Sequence, residues 1–301
     1  MQAKSKIKDI KFFPILATIV WYTNIVALIL LLASTISPYI SPAKTTLFAY
    51  LGLGFPIILI INLAYLALWV AFRKWKLALI SFIALCICWN PISTYFAFST
   101  TSKEVPSANT IKLLSYNVAA FDWKLTEEEL KANKCLQYIK ESGADIVCIQ
   151  EYLVWRKDKS KAAKIDPAIR KLLKDYPYYK IVNPTSSQSN YIYGHACFSK
   201  YPIISATELP MDSKGNGVTL YKLNINGKHI SLFNNHLESN KITSEDKALY
   251  RKFFKQEEST LAIFDDVAHN IQTRLGPAYV KRSKQADIVA EQIKIEEKEA
   301  D

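Results

Sequence analysis

Three long apolar runs come first in this chain, and an alternation of strand-like and helix-like patterns follows them. Phe12–Ile36, Leu47–Phe72 and Leu77–Ala97 contain no charged residue. Each run predicts a transmembrane helix, because about 20 apolar residues at a rise of ~1.5 Å cross a hydrocarbon layer of ~30 Å. The first run is too long for the apolar core of a cleaved signal peptide, so an uncleaved span is expected. Gly52, Gly54 and Pro56 inside the second run are tolerated in a membrane helix. Trp69, Trp75 and Tyr95 lie at or beside run ends, where rings with a polar edge favour the interface, whereas Trp21 and Tyr22 lie nearer the middle of the first run. Residues 1–97 therefore read as a membrane anchor of three transmembrane helices (about 12–36, 47–72 and 77–97).

Residues 98–110, FSTTSKEVPSANT, read as a small, polar linker. From Ile111 the period changes. Strands are expected at 111–118 and 145–150, then near 178–182, 190–199, 203–210, 217–225 and 228–236. Helices are expected at 126–141, 166–175, 243–266 and 279–297. Thr126 followed by Glu129 is a capping box, and Asn226-Gly227 is a hairpin turn. The fold class is three N-terminal transmembrane helices followed by an α/β domain at 111–301 with an antiparallel sheet.

Three strands end in polar groups. A period of two puts Ile111 and Leu113 on one face with Asn117, and Val147 and Ile149 on one face with Glu151. In KHISLFNNHLES, Ile230 and Leu232 share a face with Asn234 and His236. The pattern lifts an amide, a carboxylate and an imidazole over the rim of a buried sheet. Mg²⁺ takes oxygen ligands, commonly one or two carboxylates with water and substrate phosphate. Asn117 and Glu151 offer oxygens of that kind, and His236 can donate to a phosphate oxygen or protonate a leaving group.

Charge narrows the partners. Of the formal +11, residues 1–104 hold nine Lys/Arg against two Asp/Glu, and residues 105–301 hold 29 against 25. The basic excess sits beside the apolar runs, so it does not support a nucleic-acid partner. Four Lys precede the first run and Arg73, Lys74 and Lys76 separate the second from the third, whereas the first turn holds only Lys44. The positive-inside rule then places the N-terminus in the cytoplasm and the α/β domain outside, which in a bacterium is the periplasmic face of the inner membrane. Five cysteines in a chain of this length are no disulfide framework, and Cys135, Cys148 and Cys197 read as small buried hydrophobes.

Four segments, in order, resemble motifs of the endonuclease/exonuclease/phosphatase superfamily of metal-dependent phosphoesterases. They are Ser115-Tyr116-Asn117-Val118, Ile149-Gln150-Glu151, Gly194–Ile203 and Asn234-Asn235-His236-Leu237. The resemblance covers about 110–297, and the apolar runs look like a membrane-bound bacterial subgroup. It implies a four-layer α/β sandwich and Mg²⁺ or Mn²⁺ as cofactor. It implies Glu151 and Asn117 as metal ligands, with Asn117 positioning bound water or phosphate. His236 is implied at the scissile phosphate or leaving oxygen, and Ser199–Ile203 as a structural turn. Arg282 resembles a position common in the subgroup. Glu238 is expected in solvent, and His195 beside the site without a role.

Two further family motifs, Gly-Asp-x-Asn and Ser-Asp-His, do not occur. A partial sandwich is therefore expected, with an exposed apolar face, as in a truncated fragment, a decayed gene or a half completed by another chain. Two functions follow. One is a membrane-anchored, metal-dependent hydrolase of a phosphodiester or phosphomonoester, impaired in this chain. The other is a non-catalytic, membrane-tethered module of the same fold. No G-x-S-x-G or H-E-x-x-H occurs, which removes the usual serine-hydrolase and zinc-protease signatures.

Overall fold

A computed structural model describes residues 3–96, 110–122, 126–155, 165–182, 191–213, 216–240, 242–255 and 260–300. The expected linker lies almost entirely outside the described residues. The chain forms two compact units, residues 1–103 and 104–301.

The first unit is helical: α1 (Ala3–Thr35), α2 (Leu47–Ala71), α3 (Trp75–Ile87) and α4 (Trp89–Tyr95). Among the described residues, two segments are long and apolar enough to cross a membrane, Ile15–Tyr39 and Leu47–Ala71, with mean hydropathies of 2.3 and 2.2. The third expected span is not one helix. It is the pair α3 and α4, bent by 62° at Cys88. Pro91 explains the break, because its ring clashes with the carbonyl four residues back, at Ile87, and it has no N–H to bond there. Only the bent pair taken together passes as a span.

Polar groups join α1 to α2. Trp69 Nε1 donates to Asn24 Oδ1 (2.9 Å), Tyr65 Oη to Thr23 Oγ1 (2.8 Å) and Asn62 Nδ2 to the Ala27 carbonyl (3.0 Å). Leu31, Phe55, Leu59, Leu85 and Cys88 pack between the helices. Gly52 is required by close approach, since a Cβ there would collide with the Ser37 side chain. Ile19, Val26, Ile57, Ile60 and Leu79 face outward, so the surface of the unit is apolar.

The second unit runs β1 (Leu113–Asn117), α5 (Glu127–Lys131), α6 (Lys134–Glu141), β2 (Ile146–Trp155), α7 (Ile165–Leu172), β3 (Tyr178–Val182), β4 (Tyr191–Ser199), β5 (Ile203–Glu208), β6 (Gly217–Ile225), β7 (Lys228–His236), α8 (Ser244–Lys255), α9 (Thr260–Asn270) and α10 (Gly276–Ala300). A π-helical turn, Ile271–Leu275, joins α9 to α10. One sheet has the order β1-β2-β4-β3, parallel between β1 and β2 and antiparallel elsewhere. The other is the antiparallel meander β5-β6-β7.

The two faces of β2 explain the layering. Val147 and Ile149 pack with Leu136, Ile139, Ile169 and Leu173 of the helices. Ile146 and Cys148 pack instead with Cys197, Tyr221 and Leu223, which close the space between the sheets. On the outer face of the second sheet, Ser231 Oγ donates to Glu296 Oε2 of α10 (2.6 Å) and Lys222 Nζ pairs with the same carboxylate (3.1 Å). The layers are thus helices, sheet, sheet and helix.

The single helix expected at 126–141 is two. The Thr126–Glu129 capping box starts α5, but the Asn133 side chain accepts from the Cys135 and Leu136 N–H groups and starts a second helix. Of the helix expected at 243–266, residues 256–259 lie outside the described residues, and α8 and α9 flank them. The Asn226-Gly227 hairpin has positive φ at both residues (54° and 88°), as a tight turn between twisted strands requires.

Candidate functional site

Asn117, Glu151 and His236 come from β1, β2 and β7, and one carboxylate oxygen brings them together. Asn117 Nδ2 donates to Glu151 Oε1 (2.9 Å), and His236 Nε2 lies 3.7 Å from the same oxygen. Asn117 Oδ1 accepts the Ala119 N–H (3.0 Å), which fixes the amide with its nitrogen towards Glu151.

Glu151 reaches this point through a β-bulge. Ile149 pairs with Ala196 and Tyr152 with Gly194, so Gln150 and Glu151 both stand opposite His195. Glu151 has φ 55°, a left-handed conformation uncommon for a residue with a side chain. The bulge corrects the alternation expected from the sequence. Glu151 does not share the face of Val147 and Ile149, which are buried against the helices. Tyr152 takes up that face instead, and Glu151 turns towards Asn117 and His236.

Behind the rim lies a buried polar bridge. Gln150 Nε2 donates to Asn234 Oδ1 (2.6 Å) and to Ser115 Oγ (3.0 Å), and Asn234 Nδ2 donates to the Ile149 carbonyl (3.1 Å). β2 and β7 are thereby joined across the sandwich directly beneath the bulge. Gln150 was visible in the sequence only as a motif member. The inward parity of Asn234 was the one signal that it is buried.

His195 is buried, with Nδ1 2.9 Å from Thr219 Oγ1 and its ring centroid 6.3 Å from that of His236. Burial, and then the neighbouring His236, depress its pKa to about 4. Burial also lowers the His236 pKa, and the Glu151 carboxylate partly offsets this. Both imidazoles are therefore neutral at pH 7. Glu238, expected in solvent, is buried and accepts from Ser213 Oγ (2.7 Å). Its backbone N–H donates to Gln285 Oε1, and its carbonyl accepts from Arg282 Nε (2.7 Å). Arg282, which also bonds Asn240, thus clamps the chain just after β7 to α10.

The donor set fits one hard cation sparsely. Among the described residues no three His, Cys, Asp or Glu side chains group as metal ligands. Glu151 supplies one carboxylate, and Mg²⁺ commonly keeps water and substrate phosphate in its other positions.

Stacked sheets faced by helices, with polar strand ends meeting over one rim, define an α/β sandwich of the kind that carries chemistry on its strand termini. Residues 114–293 match the profile of the endonuclease/exonuclease/phosphatase family, and the chain belongs to that family. Residues 17–95 match a domain of unknown function (DUF8431). No curated protein matches the chain. Among solved structures, it is similar to an endonuclease/exonuclease/phosphatase family protein from Leptotrichia buccalis C-1013-b, at 14% identity and a TM-score of 0.34 over 55% of this chain and 74% of that one. It is also similar to the protein of that description from Beutenbergia cavernae DSM 12333, at 11% identity and a TM-score of 0.33, with coverages of 48% and 43%. Truncated TDP2 of Caenorhabditis elegans matches at 21% identity and a TM-score of 0.30, with coverages of 49% and 55%. The chain thus spans between 43% and 74% of the length of these three proteins.

Proposed function

We propose that the chain is a membrane-anchored phosphoesterase that uses Mg²⁺ or Mn²⁺ to hydrolyse a phosphodiester or phosphomonoester. The convergence of Asn117 and His236 on Glu151 Oε1 carries this reading. The two apolar segments support an anchor in a bacterial inner membrane. Lys and Arg flanking them support a cytoplasmic N-terminus, and with the bent pair α3–α4 as a third crossing the second unit lies outside.

In this reading Glu151 is the metal ligand. Asn117 holds its carboxylate in place and turns its own amide oxygen towards the Ala119 N–H. When bound, the cation supplies Lewis-acid polarisation and neutralises phosphoryl charge. His236, neutral before substrate arrives, takes a proton as the phosphate dianion or monoanion approaches. It holds that proton at Nε2 for a phosphoryl or leaving-group oxygen. The bulge keeps Glu151 within reach of that nitrogen.

The test is turnover of bis-p-nitrophenyl phosphate by the full chain in detergent. Mg²⁺- or Mn²⁺-dependent release of nitrophenol is expected. It should fall at least ~100-fold in Glu151→Gln and in His236→Ala, the range of a lost acid–base or charge-stabilising group. Absence of metal-dependent turnover in the parent chain would instead favour the non-catalytic module.

A further inference from the structure

Cys148 and Cys197 face each other across β2 and β4. They are register partners in the antiparallel ladder, two residues before the bulge on one strand and two residues after His195 on the other. Both are free thiols and both are buried, at 2% and 0% exposure. Directly opposed residues on antiparallel strands have Cα atoms about 4.5–5.5 Å apart, inside the range of about 4.4–6.8 Å that a disulfide spans. Both side chains belong to one buried cluster, and the neighbouring Cys148 thiol, with burial, holds the Cys197 thiol well above its ordinary pKa. Among the described residues Cys135 lies apart, bonded to Tyr116 Oη (3.5 Å), and Cys86 and Cys88 belong to the helical unit.

We propose that Cys148 and Cys197 are a redox pair that closes to a disulfide bridging β2 and β4 beside the Glu151 bulge. The oxidant is a low-molecular-weight or protein disulfide. In the reaction two S–H bonds and the oxidant's S–S bond break, and one S–S bond forms in the chain. The oxidant leaves as two thiols carrying the two electrons and two protons. The native pair is buried and largely un-ionised, so exchange takes place while the strands are still assembling. Once closed, the bridge pins the ladder immediately beside the residue held at positive φ. Closure in the cell rests on the reading that the second unit lies outside the cytoplasm, where disulfides persist. Closure in glutathione buffer does not.

The full chain is synthesised in a cell-free system, into detergent micelles, in a buffer of reduced and oxidised glutathione. It is then unfolded in the presence of the alkylating agent and digested. A linked Cys148–Cys197 peptide is expected, with alkylated Cys86, Cys88 and Cys135. A thermal midpoint about 10 °C above that of the reduced chain is also expected. Alkylation of both Cys148 and Cys197, or linkage of either to Cys135, overturns the pair. Cys135→Ser should leave the link unchanged. The same alkylation on intact cells separates the two readings. A pair linked in glutathione but reduced in cells upholds the redox pair and overturns the extracytoplasmic location.

Discussion

At the residue scale, Glu151 combines a carboxylate at the candidate site with a backbone conformation that opposes folding. A side-chain-bearing residue at φ 55° costs about 1–2 kcal/mol relative to ordinary backbone. Glu151→Ala and Glu151→Gly both remove the carboxylate and its bond to Asn117, but only glycine relieves the backbone. Glu151→Gly should therefore be about 1 kcal/mol more stable than Glu151→Ala by thermal unfolding, with both inactive. Equal stability would mean the bulge is relaxed in solution. His195 makes a second prediction. Its pKa is about 4 in the fold, against about 6.5 in an open chain. Between these values the unfolded chain binds a proton that the folded chain does not, so stability falls as pH drops from 6.5 towards 4 and levels off below. A shift of that size corresponds to about 3 kcal/mol. His195→Gln should flatten the fall in thermal midpoint between pH 7 and pH 4.5. An identical slope in the variant would place the pH dependence on other groups.

At the element scale, what could be read from the sequence was what neighbouring residues decide among themselves. The Asn226-Gly227 turn needs positive φ, and the Thr126–Glu129 box needs only its own helix turn, so both were legible. The Glu151 bulge was not, because a period of two along β2 says nothing about how many residues β4 sets opposite. The break at Cys88 was hidden because hydropathy averages over Pro91. Asn133 shows the same limit: it reads as a helix-interior residue until its side chain is seen capping α6. Its Nδ2 also donates to the Phe121 carbonyl (3.0 Å). That carbonyl belongs to a turn in which residues 119–122 all have positive φ, beginning at the N–H that fixes the Asn117 amide. Asn133→Ala should cost about 1–2 kcal/mol, as lost N-caps do. Asn133→Asp should keep the cap and lose only the bond to Phe121. If that bond steadies the site, Asn133→Asp lowers turnover while its thermal midpoint stays near that of the parent. Turnover that tracks stability alone in both variants would remove Asn133 from any part in positioning Asn117.

At the scale of the whole second unit, the sandwich is closed along one side and open along the other. β3 lies against β5, and β2 lies against β7. The edges at the far side, β1 and β7, pair with no further strand among the described residues. The alternation that placed Ile111 and Leu113 with Asn117, and Ile230 with His236, is correct in parity. Those side chains are nevertheless 39%, 50% and 41% exposed, because among the described residues no strand or helix covers that part of the space between the sheets. The exposed apolar face expected from the sequence is therefore present, towards the strand ends opposite those that carry the candidate site. Unpaired edges with apolar neighbours template association with another chain. The full chain in detergent should accordingly associate through this side. Leu113→Lys places a charge on the exposed face without removing a buried contact, so its effect on stability should stay within about 0.5 kcal/mol. Burying that charge in an interface should weaken association at least ~10-fold, equivalent to about 1.4 kcal/mol. Sedimentation equilibrium over a range of concentrations reads the association, and thermal unfolding reads the stability. A parent chain that stays monomeric throughout, or one whose association is indifferent to Leu113→Lys, would show that this open edge is not the surface through which the chain associates.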